Sequence, residues 1–233
     1  MSSLSFERTQ SVAILGGGPG GYEAALAAAQ LGAEVTLVER AGVGGSAVIT
    51  DVVPSKSLIA TADAAVAISA AGDLGVNLYA KGGDGKPQKP QIAINLAAVN
   101  KRLLALAGQQ SEDMRSTLLE AGVRIISGHG RLEGPGAVVI STDAGGTDFD
   151  RVEADTLVVS VGASPRELDS ALPDGERILT WTQLYDMKAL PEHLIVVGSG
   201  VTGAEFASAY KALGSQVTLV SSRDQVLPGE DSD

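Results

Sequence analysis

A glycine-rich turn between two short apolar runs constrains the fold of this chain more than any other feature. Residues 12–15 (VAIL) precede the turn at 16–21 (GGGPGG), and an Ala-rich run then leads to a second apolar run at 35–38 (VTLV). This order predicts a strand, a tight turn, a helix and a second strand. The Gly-x-Gly-x-x-Gly spacing fits the dinucleotide fingerprint, and Glu39 stands where an acid bonds ribose hydroxyls. We therefore predict a nucleotide site at this turn.

Each glycine of the turn has a separate predicted task. Gly16 permits the sharp turn out of the strand, Gly18 lets a pyrophosphate approach the backbone, and Gly21 lets the helix pack closely on the strand. Pro19 and Gly20 stand at the predicted start of the helix, where free N–H groups and a partial positive charge attract phosphate. We expect all five residues to contact the first nucleotide.

The same pattern recurs near the end of the chain. The three fingerprint glycines reappear 182 residues downstream, and the letters VTLV recur at 217–220. Two such fingerprints predict two Rossmann-like dinucleotide-binding units in an α/β fold. We expect a flavin dinucleotide in the first and a nicotinamide dinucleotide in the second. The predicted contacts of the second nucleotide are Gly198, Gly200, Val201, Gly203, Ser222 and Arg223.

The charge and composition of the chain argue against several function classes. A net charge of -11 disfavours nucleic acid or an anionic membrane as a partner. The chain has no cysteine and only 2 histidines, so we predict no disulfide framework, no thiolate nucleophile and no metal site. No segment is expected to reach the length of a membrane span, and the N-terminus lacks the apolar core of a signal peptide. We therefore expect a cytoplasmic protein without stable membrane insertion.

The region between the two fingerprints changes its pattern several times. Apolar spacing predicts helices at 54–71 and 92–121, separated by a surface loop at 72–90 that is rich in glycine and proline. Short alternating runs from 123 to 161 predict a small antiparallel β segment that returns to the main sheet. A short helix is expected before the second fingerprint, within the connection.

The segment GGSAVITDVVPSK at 44–56 resembles the redox segment of the pyridine nucleotide–disulfide oxidoreductases, a flavoprotein family that includes dihydrolipoamide dehydrogenase and glutathione reductase. Members of this family carry Gly-Gly-Thr-Cys, four residues, a second Cys, a hydrophobic residue and Pro-Ser-Lys. Here Ala47 and Val52 occupy the two cysteine positions. The resemblance extends to 128–130 (GHG), to 160–166 (SVGASPR) and to the second fingerprint, and it is strongest to quinone-reducing members.

The resemblance implies a three-layer α/β fold with an FAD domain first and an NAD(P) domain second. We expect the FAD-binding part at 1–155, a connection at 156–190, and the first βαβ unit of an incomplete NAD(P)-binding domain at 191–233. Family members are roughly twice this length, so we expect the C-terminal dimerisation domain to be absent. The full-length form is expected to be a homodimer.

The resemblance also assigns roles to single residues in the first nucleotide site. Glu39 would hold the adenosine ribose, the backbone of Gly130 would meet the adenine, and Gly162 lies in the segment that crosses the flavin chain. The family usually has Thr before that glycine, but Val161 stands here. The whole set expected to contact FAD is Gly16, Gly18, Pro19, Gly20, Gly21, Glu39, Arg40, Gly44, Gly45, Ser46, Lys56, Gly130 and Gly162.

Lys56 and Glu205 are the predicted catalytic residues. By resemblance, Lys56 lies at the isoalloxazine ring and is paired with Glu205 from the second fingerprint. From the residues alone, a lysine after Pro-Ser is a solvated surface residue. Glu205 would then be an acid in the first turn of a helix, where it complements the helix dipole. A cation at the ring would stabilise the negative charge formed by hydride transfer.

The missing cysteines direct the expected chemistry towards a quinone. Disulfide reductases of the family pass electrons through a cysteine pair, which Ala47 and Val52 cannot form. We therefore expect an FAD-dependent enzyme that passes hydride from NADPH or NADH to a quinone-type acceptor. Two alternatives stay open, a dihydrolipoamide dehydrogenase-like disulfide reductase and a nucleotide-binding fragment without turnover. Because an arginine can bind the 2′-phosphate of NADPH, Arg223 leads us to expect that NADPH is accepted at least as well as NADH. The alternative is that the Arg223 side chain points to solvent.

Overall fold

A computed structural model describes residues 9–79, 86–88, 91–141 and 150–231. The chain divides into two compact units, which we call the first unit (Met1–Val53 and Ala105–Ser170) and the second unit (Pro54–Leu104 and Ala171–Asp233). Each unit contains one of the two glycine turns. The predicted boundaries at 155 and 190 concern cofactor domains rather than compactness, and they stay a prediction.

Strand, helix and strand follow one another at both glycine turns, as the sequence indicates, and a run of helices and then a run of short strands lie between them. The strands are β1 Ser11–Leu15, β2 Glu34–Glu39, β3 Arg124–Ser127, β4 His129–Leu132, β5 Ala137–Ser141, β6 Asp150–Glu153, β7 Thr156–Val159, β8 His193–Val197 and β9 Gln216–Val220. The helices are α1 Pro19–Gln30, α2 Gly45–Ile49, α3 Val52–Ala70, α4 Leu96–Glu120 and α5 Val201–Leu213, with a 3₁₀ helix at Trp181–Asp186. The predicted α/β class is confirmed.

The first unit has the three predicted layers. Its central sheet is parallel, in the order β3-β2-β1-β7, and a smaller antiparallel sheet has the order β4-β5-β6. Side chains of β1 alternate between two cores, because successive residues of a strand point to opposite faces. Ile14 packs with Ala25 of α1 on one face, whereas Leu15 packs with Val138 of β5 on the other.

The second unit is built around α5 and a parallel pair of strands. β8 and β9 pair from His193 opposite Gln216 to Val197 opposite Val220. Tyr210 of α5 is almost fully buried, and it belongs to a core cluster with Leu58 of α3 and Leu103 of α4. Burial raises the pKa of the Tyr210 phenol to about 12, because the ionised form loses its hydration.

One helix boundary and one loop are better defined by the structure than by sequence pattern. α4 begins at Leu96 rather than at 92, because the Asn95 side-chain oxygen accepts the Ala98 N–H at 3.0 Å and so supplies an N-terminal cap. The described part of the predicted loop at 72–90 contains only an isolated bridge between Leu78 and Gln88. Residues 80–85 and 89–90 of that loop lie outside the described residues.

One helical stretch meets the length and composition of a membrane span, so the expectation that no segment would do so was wrong. Gly45–Ala70 contains a window with a mean hydropathy of 1.2, of which 28% is buried. Core helices satisfy the same test, and Leu58 and Ala62 of this stretch are 1% and 2% exposed within their core cluster. The stretch is therefore weak evidence for a membrane span.

Candidate nucleotide sites

The first glycine turn is held between the ends of two neighbouring strands. The Gly16 N–H donates to the Val38 carbonyl at 2.9 Å, and the Ser160 N–H donates to the Leu15 carbonyl at 2.8 Å. Gly16 has φ +93°, and a Cβ added there would lie 2.2 Å from the Ser160 carbonyl oxygen. Glycine is required here by both conformation and space.

Helix α1 starts close against this turn and leaves its first N–H groups open. Pro19 is at the first helical position, and a Cβ added to Gly21 would lie 1.8 Å from the Gly16 carbonyl oxygen. Gly18 precedes the helix without a side-chain cap, and an added Cβ there would meet only the Gly45 Cα, at 4.0 Å. The Gly20 N–H at the helix start has no carbonyl one turn earlier within the helix to bond. The backbone is thus accessible to a phosphate group, which fits the predicted use of Gly18 and Gly20.

The carboxylate of Glu39 organises the loop after β2. Its Oε2 accepts the Gly17 N–H at 2.6 Å, and its Oε1 accepts the N–H groups of Ala41 at 2.7 Å and Gly42 at 3.3 Å. Each carboxylate oxygen offers two lone pairs, so the group retains capacity for ribose hydroxyls. Glu39 therefore lies beside the turn, as the fingerprint requires, and also braces it. Arg40, the next residue, is exposed.

A second glycine pair brings helix α2 to the same turn. The Gly44 N–H donates to the Gly17 carbonyl at 2.7 Å. A Cβ added to Gly45 would lie 2.7 Å from the Gly18 Cα. The structure thus places Gly44 and Gly45 beside the fingerprint, and Ser46 is exposed in the first turn of α2. The sequence pattern of the fingerprint alone does not reveal this steric need at Gly45.

The other residues expected to contact FAD have different surroundings. A Cβ added to Gly130 would lie 3.1 Å from Val38 Cγ1 and 3.2 Å from Leu15 Cδ2, so a side chain there would require these two neighbours to shift by a few tenths of an ångström. Gly162 is exposed, with φ +68° and nothing within 4 Å of an added Cβ. The adenine contact of Gly130 and the flavin contact of Gly162 stay predictions.

The second glycine turn repeats the backbone of the first. The Gly198 N–H donates to the Val220 carbonyl at 2.9 Å, and a Cβ added to Gly203 would lie 1.9 Å from the Gly198 carbonyl oxygen. Gly200 precedes α5, with nothing within 4 Å of an added Cβ, and Val201 at the first helical position is 49% exposed. This turn is also open to a phosphate group.

A hydroxyl pair replaces the carboxylate at the second turn. Ser221 Oγ donates to the Arg223 carbonyl at 2.9 Å and accepts the Arg223 N–H at 3.0 Å. The single hydroxyl proton of Ser221 is used in its bond to the Arg223 carbonyl. Ser199 Oγ is therefore the donor in the 2.7 Å bond between Ser199 Oγ and Ser221 Oγ. Ser222 and Arg223 lie in the segment after β9, where Arg223 is exposed. Sequence reasoning missed Ser199, although its position matches that of Gly17.

Lys56 and Glu205 are brought together within the second unit. Lys56 Nζ donates to Glu205 Oε1, and their side chains are 55% and 27% exposed. Each is the fifth residue of its helix, α3 or α5. Glu205 therefore lies beyond the first turn of α5, so the alternative of an acid in that first turn was wrong. The partial burial of Glu205 distinguishes the pair from a fully solvated one.

The two positions of the missing cysteines lie on consecutive helices. Ala47 is half-buried in α2, and Val52 starts α3 with 48% of its surface exposed. Neither side chain can form a thiolate or a disulfide. Among the residues that the structure describes, no group of three or more His, Cys, Asp or Glu side chains is placed to hold a metal ion.

A cavity of about 360 Å³ lies elsewhere in the first unit, among Ser11, Glu133, Arg151 and Asp155. Arg151 Nε donates to Glu133 at 2.8 Å, and its Nη1 donates to Glu153. The Glu133 hydrogen bond first, and then Glu153, raises the pKa of the Arg151 guanidinium above its ordinary value. The Arg151 guanidinium is thus paired with the carboxylates of Glu133 and Glu153. None of the residues predicted to contact a nucleotide lines the cavity.

Comparisons with known proteins agree with this geometry. Residues 10–233 match the family described as pyridine nucleotide-disulphide oxidoreductase. The chain is 49% identical over 230 residues to NAD(P)H dehydrogenase (quinone) of Mycobacterium tuberculosis, covering 95% of this chain and 45% of that protein. It is 33% identical over 232 residues to dihydrolipoyl dehydrogenase of Chlorobaculum parvum, covering 100% of this chain and 46% of that enzyme. The chain therefore spans about half the length of the curated relatives it matches.

Two solved structures resemble this chain over almost its whole length. The crystal structure of LpdA from Mycobacterium tuberculosis superposes with a TM-score of 0.83 at 45% identity, covering 96% of this chain and 47% of that one. The Escherichia coli flavoprotein disulfide reductase RclA superposes with a TM-score of 0.71 at 19% identity, a likeness of fold alone.

Proposed function

Because the chain belongs to the pyridine nucleotide–disulphide oxidoreductase family, we propose that the whole protein is an FAD-dependent NAD(P)H oxidoreductase with a quinone-type acceptor. The proposal rests on one combined observation: the chain has two glycine turns with accessible backbone, and Ala47 and Val52 stand at the two positions where the family has cysteine. The 49% identical relative named NAD(P)H dehydrogenase (quinone) supports the same acceptor class.

The first unit offers a consistent set of groups for FAD. The open backbone at Gly18 and the start of α1 would receive the pyrophosphate, and Glu39 would receive the adenosine ribose. When bound, FAD would supply the two-electron chemistry, accepting hydride from NAD(P)H and passing electrons to the acceptor. The protein's own contribution is to hold the cofactor and to set the charge around it.

Lys56 and Glu205 would carry the catalytic role within this proposal. The Lys56 ammonium would stabilise negative charge that develops during hydride transfer, and Glu205 would hold the ammonium in place. The contact between the two side chains, with Glu205 only 27% exposed, supports this assignment. An ordinary surface ion pair contributes at most about 1 kcal/mol to stability, so removal of this pair is expected to affect the reaction rate more than folding.

Disulfide reduction is disfavoured by the chemistry of the two replaced positions. A thiolate must attack the substrate disulfide, and the chain contains no cysteine. A planar quinone needs no covalent relay and suits the small apolar side chains of Ala47 and Val52. The dihydrolipoyl dehydrogenase relatives are 30–34% identical to this chain, less than the quinone dehydrogenase.

The remaining features of the proposal concern the nucleotide, the assembly and the location. Arg223 is exposed beside the predicted ribose site, which favours acceptance of NADPH at least as well as NADH. From the family to which the chain belongs, we propose that the whole protein is a homodimer located in the cytoplasm. The 233-residue chain alone is expected to retain FAD weakly, since it spans about half of its relatives.

The test is a comparison of acceptors and variants in the full-length protein. We expect turnover of naphthoquinones or benzoquinones with NADPH and no turnover of lipoamide. In stopped-flow experiments, Lys56→Met and Glu205→Gln should each slow flavin reduction by about tenfold or more, with the affinity for FAD little changed. The matched control is Lys101→Met, which removes an exposed lysine from α4.

Two outcomes would contradict different parts of the proposal. Robust lipoamide turnover by a preparation free of other reductases would overturn the acceptor class. Wild-type reduction rates in both Lys56→Met and Glu205→Gln would remove the pair from catalysis. An absorbance spectrum without flavin bands for the full-length protein would instead favour the alternative of a nucleotide-binding module without turnover.

A further inference from the structure

Ser160 forms part of the wall of the first glycine turn, although it is not among the residues predicted to contact a nucleotide. It follows the end of β7, and its N–H donates to the Leu15 carbonyl at 2.8 Å, which continues the pairing of β7 with β1. Its carbonyl oxygen would lie 2.2 Å from a Cβ added to Gly16. The backbone of Ser160 is therefore fixed on the central sheet, directly beside the turn.

The side chain of Ser160 lies against the start of α1. A Cβ added to Gly20, the second residue of that helix, would lie 3.0 Å from Ser160 Oγ. The hydroxyl makes no hydrogen bond to any residue that the structure describes, and Ser160 is partly exposed. A hydroxyl that is accessible and uncommitted can donate its proton to a ligand at this end of the helix.

The start of α1 supplies backbone donors for a phosphate group but no side-chain donor. Its first three residues, 19–21 (PGG), and Gly18 before them carry no polar side chain. On the other side of the turn, the carboxylate of Glu39 accepts hydrogen bonds and does not donate them. A side-chain donor for phosphate at this helix end must therefore come from a neighbouring segment, and Ser160 lies in such a segment.

We propose that Ser160 is a further contact of the first nucleotide, and that its hydroxyl donates a hydrogen bond to a phosphate oxygen of the cofactor at the start of α1. The inference rests on the proposed binding of FAD at this turn. The hydroxyl and the helix N–H groups would act on the same anion, since the partial positive charge of a helix N-terminus attracts phosphate. Ser160 binds and positions the cofactor and takes no part in the transfer of hydride.

The test uses the full-length protein and variants that separate the hydroxyl from the shape of the side chain. Ser160→Ala removes the hydroxyl, and the isosteric pair Ser160→Thr and Ser160→Val shares one shape with and without it. The matched control is Thr156→Val, which removes an exposed hydroxyl at the other end of β7, roughly 13 Å along the strand. Dissociation constants of FAD and of ADP would be measured by calorimetry after removal of flavin, together with the Tm of the flavin-free protein.

We expect Ser160→Ala to raise the dissociation constants of FAD and ADP by about tenfold, the size typical of a hydrogen bond to a charged group. The Tm of the flavin-free protein should stay at the wild-type value, because the hydroxyl has no partner among the described residues. Ser160→Thr should bind FAD about tenfold more tightly than Ser160→Val. Thr156→Val should match wild type throughout.

Phosphorus NMR of the flavin-loaded protein supplies a readout at the phosphates themselves. The chemical shift of a phosphate group changes when one of its oxygens loses a hydrogen bond. We therefore expect Ser160→Ala to displace at least one of the two phosphorus resonances of bound FAD, whereas Thr156→Val should leave both in place.

Other results would overturn the inference. Unchanged affinities for FAD and ADP in Ser160→Ala would remove the contact, and equal affinities in Ser160→Thr and Ser160→Val would show that the hydroxyl is not what matters. Weaker FAD binding with a lowered Tm of the flavin-free protein and unmoved phosphorus resonances would assign Ser160 a structural role instead.

Failure of the proposed function gives a different result. A wild-type protein that binds no FAD would overturn the proposed function and this inference together. Lipoamide turnover by the flavin-loaded wild type would overturn only the acceptor class, because the affinities and phosphorus resonances of the Ser160 variants do not depend on the acceptor.

Discussion

The two glycine turns have nearly the same backbone but very different surroundings. Gly16 and Gly198 each donate an N–H to the end of the following strand at 2.9 Å, and Gly21 and Gly203 would each place a Cβ within 2 Å of a carbonyl. Beyond this frame the turns differ. Gly16 is confined by the Ser160 carbonyl, whereas an added Cβ on Gly198 would meet nothing within 4 Å.

The difference follows from the strands on either side. β1 lies between β2 and β7 and has a core on both faces, so its last three residues are buried. Within the described residues, β8 has β9 as its only strand neighbour, and Ile195 and Val197 are 59% and 68% exposed. The same fingerprint therefore specifies the turn itself, while the neighbouring strands decide how strictly each glycine is required.

The largest expected contrast is between alanine substitutions at the first glycine of each turn. Gly16→Ala combines left-handed backbone strain with a collision at the Ser160 carbonyl, and it should lower the free energy of unfolding by about 3 kcal/mol. Gly198→Ala carries only the backbone strain and should cost about 1 kcal/mol. Urea unfolding of the two variants measures the difference. Equal costs would mean that the contact with Ser160 is relieved by movement of the chain.

A smaller effect is expected from exchanging the middle residues of the turns. Gly17→Ser would place a Cβ 3.2 Å from Glu39 Oε2, so the carboxylate would have to shift by a few tenths of an ångström and its bond to the turn would weaken, at a cost of about 1 kcal/mol. Ser199→Gly would remove one hydroxyl–hydroxyl bond and should cost about 1 kcal/mol or less. The two variants are compared by thermal unfolding and by FAD titration. Of the two, only Gly17→Ser should lower the affinity for FAD. Unchanged FAD affinity in Gly17→Ser would mean that this shift does not disturb the predicted contact of Glu39 with the ribose.

The smallest expected effect concerns a carboxylate that organises backbone groups in the second unit, as Glu39 does in the first. Asp174 accepts the N–H groups of Glu176, Arg177 and Ile178 at 2.8–2.9 Å, and these bonds, that of Ile178 first, lower the pKa of its carboxyl group below the ordinary value of 3.8. A lowered folded-state pKa stabilises the fold above the unfolded pKa, and this contribution is lost as the pH falls through the folded value.

Asp174→Ala should therefore slightly lower Tm at pH 7, and the difference from wild type should shrink in acid below pH 4. The control is Asp224→Ala, an exposed acid of the same unit. A difference that stays constant from neutral to acidic pH would assign the effect to something other than the ionised carboxylate.

Sequence pattern predicted the elements where apolar periodicity and glycine spacing act locally. The two βαβ units, the helices of the intervening region and the antiparallel segment all occur, and Glu39 and Gly21 lie where the fingerprint indicates. The prediction was less accurate at the start of α4, because the cap by Asn95 is a single hydrogen bond without periodicity. The membrane expectation failed because hydropathy does not distinguish a core helix from a span.

What the sequence by itself determined was local: turn geometry from glycine spacing, helices and strands from apolar period, and the presence of Ala47 and Val52 at the two positions where the family has cysteine. Tertiary structure decided the contacts between distant residues. It paired Lys56 with Glu205, 149 residues apart, and placed Gly45 against Gly18. It also gave Ser199 its partner in Ser221. Such contacts depend on how separate elements pack in space, and packing distance leaves no periodic trace in a single sequence.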